Sequence, residues 1–206
     1  MNKNFAEELR LFREFKKNYK FKQLPLEEVG GELFCCGQPL FDAEGNLIGE
    51  CESWINIAYM IKSPLSKMLS NLFPYDFEFR GVPLKSLEGF FQGIKFRNSE
   101  LQKTVFAYSG INACYTRAVS DFCRLNDGIL YWQGAPIKRD SAEYAELVDE
   151  LYVSALQNPL YRQVLQSVSR PLIHSIGKTD KRETVLTRYE YEAEINCLAQ
   201  YVKQCG

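Results

Sequence analysis

Between Leu84 and Asn98 the chain reads LKSLEGFFQGIKFRN, and as a helix this stretch sorts its side chains onto distinct faces. Leu87, Phe90, Phe91 and Ile94 recur at i, i+3, i+4 and i+7, an apolar stripe about 100° wide that has to be buried. Glu88, Gln92 and Lys95 recur at i, i+4 and i+7 on a neighbouring face, so a carboxylate, an amide and an amine project in one direction. Gly89 and Gly93 leave a bare strip beside that row where another backbone or a ligand can approach closely, although each glycine costs up to ~1 kcal/mol in a helix interior. A solvated surface pair is the plain reading of Glu88 and Lys95. Exposed pairs contribute only ~0–1 kcal/mol, however, and a helical ion pair wants a spacing of three or four residues. The row, the glycine strip and the aromatic face together point to a site.

The remaining composition bounds the fold. With 206 residues, 46% hydrophobic and 14% aromatic, the chain suits one substantial domain and is short for two. Its 25 basic and 26 acidic residues leave a formal charge of -1, which excludes a broad electrostatic footprint for duplex nucleic acid and leaves room only for a local contact. No apolar run reaches the ~18–20 residues of a membrane span, and Met1–Gln23 is too charged for a secretory segment, so no membrane association and a cytoplasmic location are expected. Cys35, Cys36, Cys51, Cys114, Cys123, Cys197 and Cys205 match neither a disulfide framework nor a zinc pattern. Reduced, mainly buried thiols and no metal are expected. The single histidine, His174, lacks a nucleophile-elbow motif, and a lone histidine is more often structural.

In chain order, Asn4–Lys20 reads as an amphipathic helix stopped by Pro25. Leu33–Cys36 and Leu47-Ile48 around Asp42–Asn46 read as a β-hairpin, and Trp54–Ile61 is a further apolar run. Met68–Pro83 alternates as a half-buried strand before the central helix, with Ser86 as its cap. Ser99 with Gln102, Asp140 with Glu143 and Thr187 with Glu190 read as capping boxes of three later helices. Within the poorly patterned Ser109–Ile129, a broken helix is read around Tyr115–Leu125, ending at Asn126-Asp127-Gly128, and Asn158-Pro159 stops one helix and starts the next. The sum is an α+β, mostly helical, compact single domain with a minor β-sheet, in which residues 1–62 form a helix and hairpin extension packed on a core of residues 63–206.

Several motifs fall in one order: Leu69-Ser70-Asn71; Ser86-x-Glu88-Gly89-x-x-Gln92-x-x-Lys95-Phe96; Tyr131-Trp132-Gln133-Gly134 with Arg139-Asp140-Ser141; Leu172-Ile173-His174-Ser175-Ile176-Gly177; and Glu183–Thr187. Together they resemble the NADAR (YbiA-like) family from about Leu69 to Val202. The resemblance implies a compact, mainly helical fold acting on N-glycosidic bonds without a cofactor, as an N-glycosidase of riboflavin-pathway intermediates or a hydrolase removing ADP-ribose from modified guanine in nucleic acid. Ser175–Asp180 lacks the Trp-Gly segment of the riboflavin-intermediate branch, and Asn112–Arg117 stands where the long branch has a Gly- and Lys-rich stretch.

Breaking an N-glycosidic bond builds positive charge at the anomeric carbon, which calls for a carboxylate or nucleophile on the sugar and a proton for the departing base. Glu88 supplies the carboxylate, and the resemblance makes Lys95 the nucleophile, whose amine must be neutral to attack. Asn71 and Gln92 are candidates to hold ribose hydroxyls, with loop bridging as the alternative for Asn71. Tyr131 and Trp132, ahead of Gly134, are candidates to stack on a base for ~1–3 kcal/mol, or are plain core. Lys138 and Arg139, just before a helix start, are placed for a phosphate or form a solvated pair. His174, Ser175 and Gly177 lie in the loop matched to the family, His174 as ligand contact or structural hydrogen-bonder. The leading expectation is an ADP-ribosyl hydrolase. The others are a module that binds ADP-ribose or a related nucleotide without cleaving it, and a partner-binding protein.

Overall fold

The computed structural model describes residues 3–125 and 127–205. Helix α1 (Lys3–Asn18) buries Leu9 and Phe12, while Arg10 pairs with Glu7 and Glu14 along its outer face. Strands β1 (Leu26–Val29), β2 (Glu32–Cys35) and β3 (Gln38–Pro39) form an antiparallel meander. Its first turn is Gly30-Gly31, both at positive φ, the two-residue geometry a tight hairpin needs. That turn draws β2 backward onto β1, which corrects the expected pairing of Leu33–Cys36 with Leu47-Ile48. Around Asp42–Asn46 there is only a loop, knitted by the Asp42 carboxylate and crossed by the bridge Phe41–Leu47.

β4 (Ile55–Asn56) and α2 (Pro64–Leu69) follow, the helix capped by Ser63 with Pro64 in its first turn. Met68 and Leu69 therefore end a helix, and the strand expected from Met68 is confined to β5 (Phe77–Phe79), hairpinned to β6 (Val82–Leu84). The central helix, α3, spans Leu87–Gly93, with Ser86 Oγ accepting the Gly89 N–H at 2.9 Å. It is shorter than the expected Leu84–Asn98, because Leu84 is engaged in β6 and because carbonyls beyond Gly93 are claimed from outside. The Ile94 carbonyl accepts the Tyr131 N–H at 2.7 Å, and the Phe96 carbonyl accepts Gln102 Nε2 at 2.7 Å. Lys95 thus sits in the turn after α3 rather than on it.

Next come α4 (Ser99–Phe106), α5 (Gly110–Cys114), a 3-10 turn (Arg117–Val119), α6 (Asp121–Leu125), and the hairpin of β7 (Ile129–Trp132) and β8 (Ala135–Lys138). In the expected turn ahead of β7, Asn126 lies outside the described residues. The chain closes with α7 (Ala142–Ala155), α8 (Pro159–Ser167), β9 (Leu172–Ile173) and α9 (Arg188–Cys205). Asn158 with Pro159 starts α8 as expected, and Thr187 with Glu190 makes the reciprocal box that starts α9. Two other caps are one residue off. Asn98, not Ser99, caps α4, because the Gln102 side chain is drawn to the Phe96 and Tyr131 carbonyls, and Ser141, not Asp140, caps α7.

One apolar core runs through α1, α3 and α7–α9, with Phe79, Phe90, Tyr152 and Tyr161 fully buried, which makes the chain a single α+β domain. A smaller cluster, Cys35, Leu40, Trp54 and Ile173, joins the meander to it. β4 runs parallel to β9, so the segment before residue 63 is stitched into the core. The glycine strip serves helix packing: a Cβ on Gly93 would lie 2.2 Å from the Phe106 ring and one on Gly89 2.8 Å from the Tyr108 carbonyl. Among the described cysteines all are free, but only Cys35 and Cys197 are fully buried, fewer than expected; the Cys123 side chain lies outside the description. Among the described residues no helix is long and apolar enough to cross a membrane.

Candidate functional site

A cleft of about 550 Å³ opens between α3, α5, the turn after α2 and the loop that follows β9. The row read from the sequence lines it: Glu88, Gln92 and Lys95, the last two only 6% exposed. The three are wired together. Lys95 Nζ donates to Gln92 Oε1 at 2.8 Å, and Gln92 Nε2 donates to Glu88 Oε1 at 2.6 Å. A cation at one end and a carboxylate at the other fix which way the amide faces, because each end accepts only one kind of partner. Glu88 Oε1 takes a second hydrogen bond, from the Cys114 thiol at 3.2 Å. Burial, with the Glu88 carboxylate adding to it, pushes that thiol up to about 12, so it stays a neutral donor.

Lys95 owes its place to β7 and α6 rather than to helical spacing. The Tyr131 N–H holds the Ile94 carbonyl and the Phe122 N–H holds the Lys95 carbonyl at 3.2 Å, so the turn is gripped on both sides. Across the cleft, Asn71 accepts the Tyr152 hydroxyl at 2.9 Å on its side-chain oxygen, which leaves its NH₂ as the group to offer. The Asn71 carbonyl also accepts the Glu88 N–H at 2.9 Å, joining the turn after α2 to the start of α3.

His174 enters the cleft from the loop after β9. Its Nδ1 lies 2.7 Å from the Ile57 carbonyl, which can only accept, so Nδ1 carries the proton and the neutral ring keeps Nε2 as an acceptor. Burial holds its pKa below the ordinary histidine value, and the ring stands edge-on to Tyr191 with centroids 5.1 Å apart. Gly177 is required where it is: a Cβ there would lie 2.5 Å from the His174 ring. Ser175 supports the loop from outside the cleft, accepting Asn56 Nδ2 at 2.8 Å and donating its N–H to the Asn56 side-chain oxygen at 3.1 Å.

Besides Ser175, five residues singled out in the sequence lie off the cleft: Tyr131, Trp132, Gly134, Lys138 and Arg139. Tyr131 is buried, and Trp132 packs in an aromatic cluster with Phe79, Phe90 and Phe106 at centroid distances of 5.0–5.8 Å. Gly134, at φ 86°, completes the β7–β8 turn with Gln133 at φ 49°. Arg139, only 4% exposed, grips both oxygens of Glu190 and donates to the Thr184 carbonyl at 3.2 Å. It fixes Thr184–Leu186, part of the cleft wall, and lines a separate hollow of about 270 Å³ at the start of α7, together with Ser141, Tyr144 and Lys181.

Several lining residues were not marked as site residues in the sequence. Arg117 and Lys178 bring cations to the cleft, Cys114 bonds Glu88, and Phe91 lines it from α3 although its spacing marked it only as core. Only Lys178, four residues past His174 in the matched loop, carried a usable signal. Among the described residues no three His, Cys, Asp or Glu side chains converge to hold a metal ion.

Over 134 residues the chain is 37% identical to an "Uncharacterized 17.1 kDa protein in Gp30-rIII intergenic region" of Enterobacteria phage T4, an alignment covering 63% of this chain and 87% of the phage protein. No solved structure matches it significantly. The model of the family described as bacteriophage protein GP30.3 matches residues 64–200, a span that contains the whole Glu88–Gln92–Lys95 row and the His174 loop, and the chain belongs to that family.

Proposed function

We propose that the protein is an N-glycosidase of the NADAR type that removes ADP-ribose from a modified base, guanine in nucleic acid being the first candidate, with Glu88 and Lys95 carrying the chemistry. The observation behind this reading is the hydrogen-bonded row Lys95–Gln92–Glu88 in one cleft. The cleft's volume suits a nucleotide-sized ligand, since such pockets run from about 300 to 1,000 Å³. Asn71 offers an NH₂ and His174 an acceptor nitrogen to ribose oxygens, and Arg117 and Lys178 offer cations to a diphosphate.

The steps follow from the groups present. Substrate entry parts the row, and Lys95 gives a proton to Glu88. The neutral amine attacks the anomeric carbon. The carbon–nitrogen bond to the base breaks, its electron pair leaves with the base, and the Glu88 proton follows it. The sugar ring then opens to an imine on Lys95, the ring oxygen taking a proton from the new nitrogen, and water releases free ADP-ribose.

The test is release of ADP-ribose from ADP-ribosylated guanosine by the wild-type chain and by Lys95→Ala, Lys95→Arg and Glu88→Gln. The reading predicts turnover by the wild type and losses of about 1,000-fold or more in each variant, in line with removing a nucleophile or its acid–base partner. Tight ADP-ribose binding without release, unchanged in Lys95→Arg, would instead make the protein a binding module.

A further inference from the structure

The Glu88 carboxylate is held asymmetrically. Both of its side-chain hydrogen bonds, from Gln92 Nε2 at 2.6 Å and from Cys114 Sγ at 3.2 Å, converge on Oε1. Oε2 takes no hydrogen bond from any described residue, and Glu88 lines the cleft. The two donors come from different elements, Gln92 from α3 itself and Cys114 from α5. α5 is in turn locked against its neighbours. A Cβ on Gly110 would lie 1.9 Å from the Leu72 carbonyl, and the Gly110 N–H donates to Ser86 Oγ at 3.1 Å, the same oxygen that caps α3. One hydroxyl therefore sets the start of both helices, and with it the separation of Cys114 from Glu88.

We infer that Cys114 is a positioning residue for this site: a thiol donor that fixes the rotation of the Glu88 carboxylate, so that Oε1 is spent on the protein and Oε2 is the oxygen that meets the sugar or the departing base. The inference rests on the cleavage reading above for its functional part and on geometry alone for the contact. A thiol suits the task because it donates one hydrogen bond and accepts only weakly, so it does not compete with Glu88 for donors. Loss of a donor to a carboxylate in general disfavours its charged form, which is what a pH profile reads.

The other charged or titratable groups lining the cleft with Glu88 and Cys114 are Lys95 after α3, Arg117 in the 3-10 turn, His174, Lys178 and Glu183 in the loop after β9, and Tyr191 on α9. None of them touches Oε1 in a described hydrogen bond.

The test pairs a spectrum with a pH profile on the full chain, using Cys114→Ala, Cys114→Ser and Glu88→Gln. In the infrared difference between wild type and Cys114→Ala, the Cys114 S–H stretch is expected at the low-frequency, hydrogen-bonded end of the thiol range, and it is expected to move up in Glu88→Gln. With ADP-ribosylated guanosine as substrate, Cys114→Ala is expected to lower kcat about five- to tenfold and to move the acid limb of the profile to higher pH. Cys114→Ser, which keeps a donor, is expected to recover most of both. A free-thiol S–H band, or an acid limb unmoved in Cys114→Ala while the wild type turns over, would overturn the assignment to Cys114 and leave the cleavage reading intact. A wild type with no turnover would overturn the cleavage reading and the positioning role with it, even where the hydrogen-bonded band is present.

Discussion

Gln92 sets the distance between Glu88 and Lys95, the two groups proposed to react. Its amide accepts from Lys95 and donates to Glu88, so it keeps ammonium and carboxylate apart until a ligand intervenes. Gln92→Leu keeps the side-chain bulk and removes both bonds. It is expected to lower kcat/KM about 100-fold, the scale of a misplaced catalytic group, while the melting temperature stays within a few degrees; steady-state kinetics beside a thermal melt checks this. Gly93→Ala is expected to do the reverse. With a Cβ 2.2 Å from the Phe106 ring, it should destabilise by about 1–3 kcal/mol, which urea unfolding would measure. At this scale the sequence was legible where chemistry repeats at helical spacing, as in Glu88 and Gln92; the same spacing pointed to Lys95, although the turn after α3 and not the helix places it. It was silent on Cys114, whose contact with Glu88 crosses 26 residues and a poorly patterned stretch.

Between elements, the residues that motif order singled out divide into those that touch the cleft and those that hold it. Tyr131 pins the Lys95 turn through its backbone, Trp132 packs behind α3, and Arg139 ties Thr184 and Glu190 together. Adjacency in sequence to a functional motif cannot distinguish these roles, because a strand puts alternate side chains on opposite faces and only the packing says which face is wet. Trp132→Ala is expected to cost about 3–5 kcal/mol without changing ADP-ribose affinity per folded molecule, a split that unfolding and calorimetric titration would resolve. Arg139→Met leaves Glu190 without its buried partner and is expected to cost about 3 kcal/mol, with the Thr184–Leu186 wall showing faster hydrogen exchange. Burial works against the Glu190 carboxylate, but Arg139 and Thr187 outweigh it and lower its pKa. A lowered carboxylate pKa means stability that is full above the ordinary carboxylate range and lost as pH falls through the folded value. In Arg139→Met that acid sensitivity shrinks.

For the molecule as a whole, the segment before residue 63 was read as an extension packed on a core, and the fold makes it part of the site's support. Ile57 orients His174, Asn56 holds Ser175, and β4 pairs with β9. The pairing is two residues long on each strand, too short for periodicity to reveal. α1 docks through buried Phe12 and through Lys16, which pairs with both Asp149 of α7 and Glu194 of α9. Burial raises the Glu194 pKa to about 7, with Lys16 opposing the shift and Asp149 adding to it. For a carboxyl with a raised folded pKa, the native state binds more protons than the unfolded one, so this group's contribution falls as pH rises from the ordinary carboxylate range to about 7. Melting temperature should therefore decline over that window in the wild type and decline less in Glu194→Gln.

The central claim is that Lys95 forms a covalent bond to the sugar, and trapping it is the most direct measurement. The wild-type chain is incubated with ADP-ribosylated guanosine and cyanoborohydride, digested, and read by peptide mass. The account predicts a reduced ADP-ribosyl adduct on the peptide containing Lys95, absent from Lys95→Ala. ADP-ribose released at full rate with no adduct on Lys95 would contradict it and move the chemistry to water activated by Glu88.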